Sequence, residues 1–221
     1  GAGSQPVLWV NKTARRFASE EVALSFADTG NTIAKQPKAT VYAIIDQSTV
    51  QHLMEEGSDI GLGDFIPYHA KLDHLQAELD EDVEAGRAWK SDTVEGLAAA
   101  VGLDPEVLAK TVADYNDACA NGYDPLFFKP AAFLRPVSTA PYYAIDMAAS
   151  VLVSVGGIRV NGNLQVTDKD YVAIPGLYAV GMEASGLFGD TYNLDVPGTA
   201  NGFSHASGRV AGRHIVATLK G

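Results

Sequence analysis

Tyr192, Glu183 and the run Gly198-Thr199-Ala200-Asn201 are the residues of this 221-residue chain whose types and spacing could do chemistry. A phenol with an ordinary pKa of about 10 is a neutral donor at pH 7 and can polarise a carbonyl. Glu183 follows the apolar run 177–180 and the pair Gly181-Met182. Ligands of open α/β sheets bind at the C-terminal ends of strands. A carboxylate there can accept hydrogen bonds from ligand hydroxyls. Residues 198–201 follow Pro197 and open a helical stretch, whose N–H groups favour negative charge. Each residue also has a plainer reading: a packed loop aromatic, an exposed loop carboxylate, an ordinary first turn.

The remaining reactive types offer less. His52, His69 and His74 lack metal-ligand spacing. His69 sits in Pro67-Tyr68-His69, which could line a cleft but reads more simply as surface, and so does His214. His205 falls one turn into the last helix. Cys119 is the single cysteine and cannot form an internal disulfide. Inside a helical pattern it reads as a small hydrophobe and leaves the compartment open.

Short β-branched or apolar runs predict strands at 7–10, 41–45, 158–160, 164–166 and 177–180, the last of them buried. Helical spacing appears at 48–55 and at 70–86, where Leu72, Leu75, Leu79 and Val83 recur. Thr29-Gly30-Asn31 reads as a turn. Asp92 with Glu95 resembles a capping box, and Gly102 ends that helix. Asp104-Pro105 starts the next, with Val107, Leu108, Val112 and Tyr115 as its buried face and Asn121-Gly122 as its stop. Four prolines between 125 and 141 make an irregular crossing. The final helix runs from about Gly198 to Leu219 and carries Ala200, Gly202, Ala206, Ser207, Gly208, Ala211 and Gly212, small residues that let another surface approach closely.

Net charge is −11 and the hydrophobic share is 47%. That suits a globular core, while so acidic a surface argues against nucleic acid. No run approaches the roughly 20 apolar residues of a membrane span.

The order Gly156-Gly157, strand, Asn161-Gly162-Asn163, strand, Ile174-Pro175-Gly176, strand, Gly181-Met182-Glu183, Gly-rich loop, Pro197-Gly198, helix resembles the C-terminal end of the FAD-binding domain in the fumarate reductase/succinate dehydrogenase flavoprotein family, which includes 3-ketosteroid dehydrogenases. Val10-Asn11-Lys12 with Arg15-Arg16-Phe17 and Glu20 resembles the family's entry to its substrate-capping domain. There the arginine is usually structural. Trp89–Asn116 resembles the cap's helix pair, and Pro141-Tyr142-Tyr143-Ala144 the strand that re-enters the flavin domain.

The resemblance implies an α+β capping domain over 12–140 joined to the C-terminal part of an α/β FAD-binding domain over 141–221, with residues 1–11 a strand of that domain's sheet. It implies FAD as cofactor, with Gly181 and Glu183 at the ribityl hydroxyls and Gly198, Thr199, Ala200 and Asn201 at the pyrimidine end. Tyr192 would assist as catalytic donor, and the substrate would be a small molecule with an activated double bond. The G-x-G-x-x-G turn that carries the pyrophosphate does not occur here. The chain is therefore expected to be the C-terminal portion of a longer flavin oxidoreductase that lacks its N-terminal FAD-binding portion. Alternatively, it is a non-enzymatic piece that binds ligand or assembles with a separate nucleotide-binding chain.

Three family positions differ. No arginine stands in the 190–198 loop, and none lies between Phe17 and Arg87. Val153-Ser154-Val155 replaces a histidine before the glycine pair. A dicarboxylate needs cationic clamps, so fumarate itself is not the expected substrate.

Overall fold

The computed structural model describes residues 1–61, 66–150, 154, 156–189, 192, 196 and 198–220. The chain divides into two compact units, Gly1–Ser150 and Val151–Gly221.

The first unit is built on a four-stranded antiparallel sheet of order β1-β2-β4-β3, formed by β1 (Leu8–Asn11), β2 (Thr40–Asp46), β3 (Ala88–Ser91) and β4 (Tyr142–Ala148). β2 is central: Leu8 faces Ile44 on one side, and Asp46 faces Tyr142 on the other. Because side chains alternate along a strand, Trp9, Ala43, Ile45 and Tyr143 pack to one side and Leu8, Val10, Tyr42, Ile44 and Ala144 to the other. Helices α1 (Phe26–Ala34), α2 (Gln47–Glu55) and α3 (Leu75–Glu84) cover the first side through Ile33, Val50, Leu53, Leu75 and Leu79. Helices α4 (Val94–Val101) and α5 (Pro105–Asn121) cover the second through Leu97, Val101, Leu108, Val112 and Tyr115.

Caps set most helix ends. Asp104 accepts from the N–H groups of Glu106 and Val107, with Pro105 at the first helical position, as its sequence predicts. Gly102 and Gly122 close α4 and α5 at φ +70° and +64°, a region glycine enters freely. Asp46 is fully buried. Its Oδ1 accepts from Thr49 N–H, Thr49 Oγ1 and Ser48 Oγ, and its Oδ2 from Ser138 and Thr139 N–H. One carboxylate thus ties the start of α2 to the crossing at 137–141.

The structure corrects several expectations. Residues 29–31 lie inside α1, because Ser25 caps it and Ile33 is buried. α3 begins at Leu75, since Ala70 and Leu72 are held by backbone bonds to Ser58 and Leu53. Thr93, not Asp92, caps α4, accepting from Gly96 N–H. β1 pairs with β2 and β4 completes the same sheet, and the first compact unit runs to Ser150.

The second unit contains β5 (Ile158–Arg159), β6 (Gln165–Thr167), β7 (Ala173–Tyr178), β8 (Ala184–Ser185) and α6 (Thr199–Lys220). β5 runs parallel to β8, and β6 pairs antiparallel with β7. Its core is small: Leu164, Val166, Ala179, Ala184 and Ala211. The run 177–180, expected to be buried, leaves Leu177 46% and Val180 37% exposed. Among the described residues no helix is long and apolar enough to cross a membrane.

Candidate functional site

The predicted residues gather around the start and first turns of α6. A 3-10 turn at Gly181–Glu183 packs on this helix. Gly181 sits at φ +61°, and its N–H donates to Ser207 Oγ at 2.8 Å. A Cβ on Gly181 would stand 3.1 Å from Ser204 Oγ. Ser207 Oγ in turn reaches Ser204 O, and Ser204 Oγ donates to Ala200 O at 2.9 Å. The small residues of α6 therefore do two things: they admit the turn, and one of them, Ser207, holds it with its hydroxyl. Sequence reasoning found the small-residue pattern but missed Ser204 and Ser207 as donors and acceptors.

Glu183 is exposed at the end of this turn. Its backbone is fixed by close approach to Gly157, where a Cβ would fall 2.3 Å from Glu183 O. No side chain fits there, so glycine at 157 is a packing requirement for the β5–β8 ladder.

At the helix start, the first intrahelical bond is Gly202 N–H to Gly198 O at 2.8 Å. The N–H groups of Thr199, Ala200 and Asn201 precede it and have no partner inside the helix. Gly198 lies at φ +78° with open space where a Cβ would be. Ala200 N–H donates to the phenol oxygen of Tyr192 at 3.2 Å. The Tyr192 ring lies 4.9 Å from that of Phe188 at 45°, a second partner that the sequence alone does not reveal. Thr199 Oγ1 donates to Val196 O. His205 is exposed, whereas His214, expected at the surface, is partly buried with Nδ1 2.8 Å from Tyr178 Oη. The loop's expected departures at Val153, Val155, 193–195 and Pro197 lie outside the described residues.

In the first unit, the arginine of the entry motif is structural. Arg16 donates to Glu20 through Nε and Nη2 at 2.9 and 2.8 Å and to Asp124 through Nη1 and Nη2 at 2.9 and 2.8 Å. Lys129 Nζ joins the same cluster, 3.4 Å from Glu20 and 2.8 Å from Tyr115 Oη. Burial opposes the Arg16 charge, but the two carboxylates outweigh it and raise its pKa. Burial lowers Lys129 and raises Tyr115. Among the described residues no group of three or more His, Cys, Asp or Glu could hold a metal ion.

A strand-end carboxylate, a glycine turn and a helix start meeting at one place are the elements with which open α/β proteins hold ligands. The chain belongs to the FAD-binding-domain family, whose model matches residues 1–195. It is 37% identical over 96% of its length to the vinyl phenol reductase of Lactiplantibacillus plantarum, and 33% identical over 77% to the urocanate reductase of Eggerthella lenta. It covers 43% and 28% of those proteins, so it spans less than half the length of either. Among solved structures it resembles the open conformation of a flavocytochrome c3 fumarate reductase at a TM-score of 0.61 and 30% identity, over 96% of this chain and 32% of that one.

The donor set fits half of FAD. Glu183 offers acceptors suited to ribityl hydroxyls, and the N–H groups of Thr199 and Asn201, on either side of the one held by Tyr192, suit an electron-rich ring edge. The sequence holds no G-x-G-x-x-G turn for the pyrophosphate.

Proposed function

We propose that this chain is part of an FAD-dependent oxidoreductase that moves a hydride between flavin and an activated carbon–carbon bond, with a substrate other than fumarate. The first unit contains the substrate cap, and the second unit belongs to the FAD-binding domain. The observation that carries the reading is the bond from Ala200 N–H to the Tyr192 phenol. It aims a neutral donor at the mouth of a helix start suited to the flavin's pyrimidine edge.

Bound FAD would supply the hydride chemistry. The residues of this chain would orient and protonate. Glu183 would accept from the ribityl chain, and the helix start at 198–201 would face the ring with the N–H groups of Thr199 and Asn201, Ala200 N–H being held by Tyr192. Tyr192 holds a proton at the substrate's electron-withdrawing group. The exposure of Ile158, Leu177, Val180 and Leu187 supports a further N-terminal FAD-binding portion that covers them.

Two measurements test this. The chain alone, titrated with FAD by fluorescence, should bind more weakly than about 1 μM, because the pyrophosphate site contributes nothing. Joined to the portion that completes the site, it should purify yellow, and activated alkenes should reoxidise its reduced flavin. Tight FAD binding by the chain alone would contradict the half-site. A colourless, inert complete protein would instead support the non-enzymatic alternative.

A further inference from the structure

We propose that His52, Asp59 and Arg135 form a proton-operated latch in the first unit: proton uptake on His52 exchanges its partner, Arg135 for Asp59, and loosens the crossing between α5 and β4. The inference rests on the first unit alone and is independent of the flavin.

Three separate stretches of chain meet here. His52 lies in the last turn of α2, Asp59 just beyond that helix, and Arg135 in the proline-rich crossing. His52 Nε2 stands 2.9 Å from Asp59 Oδ1 and 2.8 Å from Arg135 Nη2. Arg135 Nη2 also lies 3.0 Å from Asp59 Oδ1 and 3.4 Å from Oδ2. The side chains of His52, Asp59 and Arg135 are 22%, 17% and 28% exposed, so protons reach the cluster while its bonds stay mostly sheltered from water.

A guanidinium only donates, and an ionised carboxylate only accepts. One ring nitrogen cannot serve both at once. With a bare lone pair, Nε2 accepts from Arg135. With a hydrogen, it donates to Asp59, and Arg135 loses its acceptor on the ring. The imidazolium necessarily carries that hydrogen, and it sets a second cation 2.8 Å from the guanidinium nitrogen. Asp59 neutralises one of the two charges.

Arg135 is the arm that yields. His52 is fixed by a helix whose Val50 and Leu53 are fully buried. Asp59 is flanked by Ser58, whose N–H donates to Ala70 O, and by Ile60, whose N–H donates to Gln5 Oε1. Arg135 has a long side chain on an irregular segment. The other charged groups around His52 do not compete. Glu55 and Glu56 on its own helix, Asp73 beyond it and Glu78 on α3 make no ion pair with the ring, and His69, Lys71 and His74 make no hydrogen bond to it. Asp46 of β2 is held by hydroxyl and N–H donors, and Asp80 and Asp82 of α3 pair with Lys90 and Arg87.

The test uses the complete protein labelled with nitrogen-15 in its histidines, with His52→Gln to assign the ring. At about pH 8 the His52 signals should show a bare Nε2 and a hydrogen on Nδ1, the tautomer that an Arg135 donor imposes. At about pH 5 both nitrogens should carry hydrogen. Hydrogen exchange of residues 132–137, corrected for the intrinsic effect of pH, should be about 2- to 12-fold faster at the lower pH, the scale of one hydrogen bond. Arg135→Met removes the competing donor: Nε2 should keep its hydrogen throughout, and the pH step in exchange should vanish. A hydrogen on Nε2 of the neutral wild-type ring, or equal corrected exchange at both pH values, overturns the latch. So does a step that persists in folded Arg135→Met protein. Should that variant not fold, the wild-type tautomer and exchange decide alone.

Discussion

Arg16 and Asp124 lie 108 positions apart in the chain and share two hydrogen bonds, at 2.9 and 2.8 Å, with side chains only 4% and 1% exposed. The guanidinium also holds Glu20 and lies 5.0 Å from the centre of the Tyr115 ring. The pair therefore fastens the segment after β1 to the loop that follows α5.

Removing one partner of a buried pair leaves the others uncompensated. Arg16→Met should destabilise the chain by about 3–5 kcal/mol, measured by urea unfolding. Adding Asp124→Asn should recover part of that loss, because Glu20 and Lys129 then remain as a balanced pair. Strict additivity of the two changes would show that the pair is not coupled.

The same pair sets an acid limit. Burial alone would raise the Asp124 pKa, but the hydrogen bonds from Arg16 outweigh it and lower the value from 3.8 to about 2. Protonation is thus harder in the fold than in the unfolded chain. The stability contributed, about 2 kcal/mol, is fully present above 3.8 and is lost as pH falls through about 2. Asp124→Asn should flatten the pH dependence of unfolding in this window and nowhere else. An unchanged slope would assign acid sensitivity to other carboxylates.

Tyr192→Phe keeps the ring against Phe188 and removes the hydroxyl that accepts from Ala200 N–H. In the complete enzyme, alkene-dependent flavin reoxidation should slow by about 10²–10⁴-fold, the usual share of a general acid. Stability should drop by no more than about 0.5–1.5 kcal/mol. Tyr123, 56% exposed, supplies the control: Tyr123→Phe should turn over normally. Equal rates in both variants would assign Tyr192 to packing.

Gly157→Ala places a methyl group 2.3 Å from Glu183 O. Relieving that overlap must move Glu183 or part β5 from β8. The change should cost about 1–3 kcal/mol and lower the flavin content of the purified complete enzyme. Gly162→Ala, with nothing within 4 Å of the new carbon, should shift stability by less than about 0.5 kcal/mol. Full flavin content in Gly157→Ala would remove the backbone contact from the account of the site.

Much of this is legible in the sequence wherever one residue decides a local event. Asp104-Pro105, Gly102 and Gly122 mark helix ends because caps act within a turn. The helix at 26–34 is hidden, because Gly30 suggests a turn while the deciding forces are Ser25 at its start and Ile33 in a distant core. The exposure of Leu177 is hidden for another reason: an apolar run shows that a strand favours cover, not that the cover is present. In the site, Tyr192 and Glu183 stand out by type and order. Phe188 and Ser207 matter only through what they touch, and no spacing rule reveals a serine that faces a glycine N–H 26 positions away.

Asp46 and Tyr142 are register partners on adjacent strands, and Asp46 also binds the backbone of residues 138 and 139. The segment 47–141 therefore leaves β2 and enters β4 at one pair of residues, and on the way it contributes β3 to the edge of the same sheet. Such an excursion behaves as a cassette. Its loops can lengthen, shorten or change their surface at little entropic cost, while β3 and the strands at its neck keep their register. Diversification of the covering loops is in this way limited by β3, whose pairing ties the excursion to β4, the strand that leads the chain on to the second unit.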